Sequence, residues 1–204
     1  MSRSSPQLAG VILAAGRASR MGSPKALLSL PTLAYPEPLL PPGATILEAL
    51  VAAYRASGLA TVLVVAAGPT WDAARTLEGA AVAEGDPSAP MVDSLARALE
   101  LLPADVDGVI AQPVDAPFTS ASMIRALTRG WSVHGAPRVL TSAGTPGHPV
   151  LVPRALFAAI RERPEGGLRR LLEGRAEPIE WADARVLADL DTLEDLARYG
   201  GAEP

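Results

Sequence analysis

Leu8-Ala9-Gly10-Val11-Ile12-Leu13-Ala14-Ala15, running straight into Gly16-Arg17-Ala18-Ser19-Arg20-Met21-Gly22-Ser23-Pro24-Lys25, decides how this chain folds. Residues 8–15 carry no charge, and a short, continuous apolar run of this kind predicts a strand buried on both faces. The stretch that follows supplies a free backbone at Gly16 and Gly22, guanidinium groups at Arg17 and Arg20, and an ammonium at Lys25. Backbone N–H groups and fixed positive charges both complement polyphosphate, so a first strand that empties into this loop is built to hold it.

Outward from that stretch, strand and helix patterns alternate, the signature of βαβ units around a mostly parallel sheet. Strands are expected at 8–15, 61–67, 80–83, 108–114, 138–141, 149–152 and 184–188. Helical patterns lie between them. Residues 45–57 are rich in Ala and Leu and closed by Gly58, and 91–102 set Met91, Leu95, Ala98, Leu99 and Leu102 along one stripe. Thr119 or Ser120 caps a helix running to Arg129, and Pro153 opens one over 154–163. Thr192-Leu193-Glu194-Asp195 begins the last with a capping-box pattern. The expected fold is α/β, a three-layer Rossmann-like arrangement in a single domain over 1–204. Residues 31–43 hold five prolines and are expected to leave the regular structure as a surface excursion beside the phosphate loop.

Composition bounds the chemistry. A hydrophobic content of 49% supports a sizeable core, and a net charge of −4 argues against a general binder of nucleic acid or anionic membrane. With no cysteine, disulfides, thiolate metal sites and thiol nucleophiles are excluded. No apolar stretch approaches the ~18 residues of a membrane span, and the N-terminus lacks a hydrophobic signal segment, so a cytoplasmic protein is expected. Two common phosphate loops are also excluded. Gly22 is followed by Ser23-Pro24-Lys25 rather than Lys-Ser/Thr, and Gly-x-Gly-x-x-Gly is absent.

Two acidic segments stand at informative places. Asp115 follows the expected strand 108–114, where open α/β sheets bind ligands, and a hard cation such as Mg²⁺ needs only one or two carboxylates beside phosphate oxygens. Near the C-terminus comes Asp189-Leu190-Asp191-Thr192; if this segment is extended, the two aspartates share a face. Asp191 has a second reading, as a charge favouring the N-terminus of the last helix.

The string Leu-Ala-Ala-Gly-x-x-x-Arg-Met-Gly-x-x-Lys over residues 13–25 resembles the signature of the MobA-like NTP transferases, and within them the molybdenum-cofactor cytidylyltransferase and guanylyltransferase branch. The resemblance implies a nucleotide-diphospho-sugar-transferase-like fold and a loop that wraps the triphosphate of an NTP. Leu13, Ala14, Ala15, Gly16, Arg17 and Gly22 would then contact nucleotide. Arg20 would neutralise the β and γ phosphates and Lys25 would sit near the α phosphate, with Lys25, Arg20 and Asp115 as the catalytic set. Asp115 matches the family's Asp-x-Pro, although Val114 replaces the more usual Gly. The Asp189–Asp191 ending resembles the family's Asp-Ile-Asp-Thr-Pro-Glu-Asp-Leu, with Leu193 for Pro, and implies that Asp189 or Asp191 completes a Mg²⁺ site.

Gly147-His148-Pro149 is similar to the Gly-His-Pro of the cytidylyltransferase branch and implies that His148 touches the acceptor; His134 has no such context and is expected to face solvent. Arg169 remains as an acceptor-side anion contact in a stretch that lacks the family's acidic residue. Ser94 matches a position near the nucleobase, with Asp93 in place of another Ser. The reaction implied is attack by an acceptor phosphate on the α phosphorus of an NTP, CTP or GTP, with release of pyrophosphate. The acceptor implied is molybdopterin, and a molybdoenzyme maturation partner goes with it. Sugar, alditol or lactate phosphates remain open as acceptors, as do a glycosyltransferase using Asp189-Leu190-Asp191 and a non-catalytic nucleotide-binding regulator.

Overall fold

A computed structural model describes residues 5–16, 22–30 and 43–199, with Leu193 described in its backbone only. Seven strands form one sheet: β1 Leu8–Ala14, β2 Thr61–Ala66, β3 Ala81–Glu84, β4 Gly108–Pro113, β5 Arg138–Ser142, β6 Thr145–Pro153 and β7 Glu177–Glu180. Their order is β3-β2-β1-β4-β6-β5-β7. Strand β1 pairs in parallel with β2 and β4, and only β6 runs against its neighbours. The helices are α1 Ile46–Ala56, α2 Gly68–Ala74, α3 Met91–Leu101, α4 Ala121–Thr128, α5 Phe157–Arg161, α6 Gly167–Leu172 and α7 Leu193–Arg198.

Alternation along β1 shows why the fold has three layers. Ile12 and Ala14 enter a core built with Leu50 and Tyr54 of α1 and Ile124 and Leu127 of α4. Ala9, Val11 and Leu13 enter a second core on the other face, with Leu95 and Leu99 of α3 and Phe157 and Ile160 of α5. Both faces of the strand are covered, which is what a charge-free run requires. At Gly10 the Tyr54 ring fills the space of a side chain: an added Cβ would fall 2.2 Å from its Cδ1.

The helix ends follow local chemistry. Thr45 accepts from the Glu48 N–H while the Glu48 carboxylate accepts from the Thr45 N–H, a capping box that satisfies two otherwise unpaired donors. Thr192 and Asp195 repeat it at α7, and Ser120 caps α4.

Several elements differ from expectation. The segment expected as a strand at 184–188 is a 3-10 turn, Ala184–Leu187, opened by the Asp183 carboxylate, which accepts from the Arg185 N–H. The sheet edge is instead taken by β7, whose Glu177-Pro178-Ile179-Glu180 half-buries only Ile179. The helix expected over 154–163 divides into a 3-10 turn, Arg154–Leu156, and α5. Strand β6 starts at Thr145 rather than 149, so Gly147-His148-Pro149 lies within the sheet. Helix α2, opened by Pro69 in its first turn, has no counterpart among the expected elements. Of the proline-rich excursion, only Gly43 falls within the described residues. Among the described residues no helix is long and apolar enough to cross a membrane.

Candidate active site

Parallel strands β1, β2 and β4 end at one edge of the sheet, and a cleft opens there. Its floor is Leu13, Ala14, Ala15 and Gly16 from β1 and the residues after it, with Pro113, Val114 and Asp115 from β4. The Val114 N–H donates to Leu13 O and carries the β1–β4 ladder one step past the strands. One wall is the loop after β3 and the start of α3, with Asp86, Ala89, Met91 and Ser94; Thr70 of α2, Pro24, Lys25 and Ala26 complete the rim. Gly85 lets the wall approach closely, since a Cβ there would lie 2.7 Å from Ala15 Cβ and 2.8 Å from Val65 Cγ1.

Lys25 opens a single 3-10 turn, Lys25–Leu27, preceded by Pro24 and anchored by buried Ala26. Its Nζ donates to Asp191 Oδ1 at 2.5 Å and stands 3.7 Å from Asp115 Oδ2. Asp115, Asp189 and Asp191 converge, each offering an oxygen within 4.8 Å of the others'. The convergence has a local cause. Leu190 is fully buried, so the flanking aspartates turn outward together, and the Leu190 N–H donates to Asp115 O at 2.9 Å. That hydrogen bond ties the C-terminal segment to the turn after β4. The Asp195 carboxylate accepts from the N–H groups of Asp191 and Thr192, which fixes the turn into α7.

A second support lies beneath Asp115. Gln112, buried in β4, donates from Nε2 to Ala116 O at 2.8 Å, while its Oε1 accepts from the buried Tyr54 hydroxyl at 3.2 Å. The turn bearing Asp115 is therefore held from below by Gln112 and from the side by Leu190.

Burial first, and neighbouring like charge after it, show in the acidities of two of these carboxyls. Burial, joined by the charges of Asp115 and Asp191 against the opposing Lys25, raises the Asp189 carboxyl to about 6. Asp115 is also raised, first by burial, with Lys25 pulling the other way. Three converging carboxylate oxygens, two of them on carboxyls raised in this way, fit a hard divalent cation, whose charge would offset the repulsion.

The sequence-expected residues distribute unevenly. Leu13, Ala14, Ala15, Gly16, Lys25, Ser94 and Asp115 line the cleft, and Asp189 and Asp191 stand at its acidic corner. Gly22 is described with a positive φ of 70°, while Arg17 and Arg20 lie outside the described residues. Asp93 turns to another partner, Arg163 Nε at 3.0 Å. His148 is not part of the cleft lining. It is half-buried on β6, beside Gly147, where a Cβ would fall 2.3 Å from Val186 O in the turn before Asp189. Burial lowers its imidazole to about 4, and its Nδ1 has no hydrogen-bond partner. Arg169 is exposed on α6 and is not among the cleft-lining residues, and His134 is exposed as expected. Sequence reasoning missed Thr70 and Asp86 in the lining and the Tyr54–Gln112 support. An uncharged polar residue in an otherwise apolar strand was the one signal for Gln112.

A mostly parallel α/β sheet with helices on both faces, a cleft at the strands' carboxyl edge and a lysine among converging carboxylates fit the nucleotidyltransferase class. The comparison with known families agrees: residues 10–180 match the MobA-like NTP transferase domain, and the chain belongs to that family. It is 31% identical over 207 residues to a 2-C-methyl-D-erythritol 4-phosphate cytidylyltransferase of Frankia casuarinae, spanning 95% of this chain and 67% of the relative. Among solved structures, Rv0371c of Mycobacterium tuberculosis superposes with a TM-score of 0.78 at 24% identity, over 97% of this chain and 98% of that one. A manganese complex of Rv0371c gives 0.75 at 24%, over 95% and 97%. At that identity these two support the fold.

Proposed function

We propose that this nucleotidyltransferase moves a nucleoside monophosphate, CMP in the first instance, from a nucleoside triphosphate to a phosphorylated small molecule, releasing pyrophosphate. The observation that carries the reading is Lys25 paired with Asp115 and Asp191, with Asp189 converging on the same corner, at the mouth of the cleft. In this reading the backbone past β1, at Ala15 and Gly16, would offer N–H groups to phosphate oxygens, and Lys25 would offer its positive charge to the same space. Ser94 and the loop after β3, which wall the same cleft, are proposed to meet the base. The nucleophile, an acceptor phosphate, is ionised near neutral pH, so the chain needs no general base at this place. Its work is to position the two phosphates and offset the charge that builds between them.

Asp115, Asp189 and Asp191 would hold the cation, Mg²⁺ in this reading. When bound, that ion supplies Lewis-acid polarisation of phosphate oxygens and a template joining the two reactants. Asp115 and Asp191 also orient Lys25, and Leu190 with Gln112 keep the Asp115 turn in place.

For the acceptor, the 31% identity to a 2-C-methyl-D-erythritol 4-phosphate cytidylyltransferase favours a phosphorylated alditol of that type. The Gly147-His148-Pro149 segment favours the second reading, molybdopterin. His148 and Arg169 are the residues proposed to meet either acceptor. Pyrophosphate release is to be measured with each of the four NTPs against both acceptors, with Mg²⁺. Release with CTP and the alditol phosphate supports the first reading, and release only with molybdopterin selects the second. No release with any pairing rejects the proposal.

A further inference from the structure

Lys25 stands among the carboxylates, not on the open floor of the cleft. Its ammonium is 2.5 Å from Asp191 Oδ1 and 3.7 Å from Asp115 Oδ2, two of the three groups whose oxygens converge. The side chain is only 18% exposed, and the turn that carries it is fixed by Pro24 and by buried Ala26. An oxygen in a charge-assisted hydrogen bond at this distance is not free to ligate a cation on the same lone pair, and two cations side by side repel. The acidic corner therefore holds a positive charge supplied by the chain itself.

We propose that Lys25 is the resident counter-ion of the Asp115–Asp189–Asp191 corner, competing with the divalent cation, and that its transfer from Asp191 to a nucleotide phosphate couples cation binding to nucleotide binding. The proposal rests on the nucleotidyl-transfer reading given above. It follows that the nucleotide-free protein holds a divalent cation weakly. A nucleotide that draws Lys25 onto its phosphates vacates Asp191, so each ligand raises the affinity of the other by the same factor. The arrangement also keeps three crowded carboxylates partly neutralised in the empty protein.

The test is Mn²⁺ binding to the full chain without nucleotide, followed by electron paramagnetic resonance of free Mn²⁺, for the natural protein, Lys25→Met and Lys25→Arg. Removing the competing ammonium is expected to tighten Mn²⁺ binding about tenfold in Lys25→Met. Lys25→Arg keeps a cation in the corner and is expected to stay weak. In about 0.5 M KCl, where exposed charges are screened within a few ångströms, the tightening should persist, because it arises from occupancy of the ligand oxygens. Unchanged or weaker Mn²⁺ binding in Lys25→Met, with a natural protein that still releases pyrophosphate, overturns the exchange and leaves the nucleotidyl-transfer reading standing. A gain that vanishes in KCl likewise overturns it, reducing Lys25 to a long-range charge. Failure of all three proteins to bind Mn²⁺ overturns the cation corner and the exchange together.

Discussion

Gly10→Ala tests how the central strand is fitted to the layer beneath it. The added Cβ would stand 2.2 Å from Tyr54 Cδ1 and 2.8 Å from Cε1, against an ordinary carbon–carbon contact of about 3.5–4.0 Å. The backbone of β1 cannot yield, because Gly10 is in register with Val62 on one side and Ile110 on the other. The ring must therefore move by more than about an ångström, and it is tethered through its hydroxyl to Gln112 Oε1 at 3.2 Å. Overpacking of this kind costs about 1–3 kcal/mol, and a lost hydrogen bond that strands a buried partner costs about 1–3 kcal/mol more. A loss of about 3 kcal/mol in urea-induced unfolding is expected, with the slope unchanged. In the Gly10→Ala background, Tyr54→Leu should cost less than it does alone, by a coupling of about 1 kcal/mol or more. A Gly10→Ala protein within about 0.5 kcal/mol of the natural one, or strict additivity of the two changes, would refute the packing described.

Three further outcomes are expected. Burial lowers the imidazole of half-buried His148 from 6.5 to about 4, so the unfolded chain takes up a proton in that interval that the folded chain refuses. Stability is thus complete above about pH 6.5 and lost as pH falls toward 4, by about 2 kcal/mol after allowing for partial exposure; the same acid melts on His148→Gln should lack this portion of the loss. Asp189→Asn removes one of three crowded charges and should raise the melting temperature of the cation-free protein near pH 7 while weakening Mn²⁺ binding; a lower melting temperature would contradict the repulsion assigned there. Thr192→Ala removes the cap of α7, costing about 1 kcal/mol, and should loosen Mn²⁺ binding through Asp191, measured by titration beside a melt.

Much of this architecture was legible from residues alone. Strand β1 declared itself because a run buried on both faces has no polar alternation to disguise it, and the Thr45 and Thr192 boxes declared helix starts because their chemistry is local. Strand β7 was hidden: an edge strand with two glutamates and a proline owes its place to pairing with β5, a partner 39 residues away in register. The 184–188 segment misled because a five-residue stretch around Val186 fits a strand or a 3-10 turn equally well, and the Asp183 cap decided it. In the site, Asp115, Asp189, Asp191 and Lys25 were read from motifs. Their meeting was implied by the resemblance alone, because in the fold it depends on Leu190 donating to Asp115 O, a contact no local pattern shows. The Tyr54–Gln112 contact joins residues 58 apart and leaves no periodic trace.

Nucleotidyl transfer is read by following the α phosphate of labelled CTP in the presence of 2-C-methyl-D-erythritol 4-phosphate and Mg²⁺. The label should pass to a new CMP–acceptor product in step with pyrophosphate release, and Lys25→Met and Asp115→Asn should each lower the rate at least about 100-fold while remaining folded. Undiminished transfer by Asp115→Asn would contradict the account, as would a folded natural protein that transfers label from none of the four NTPs to this acceptor or to molybdopterin.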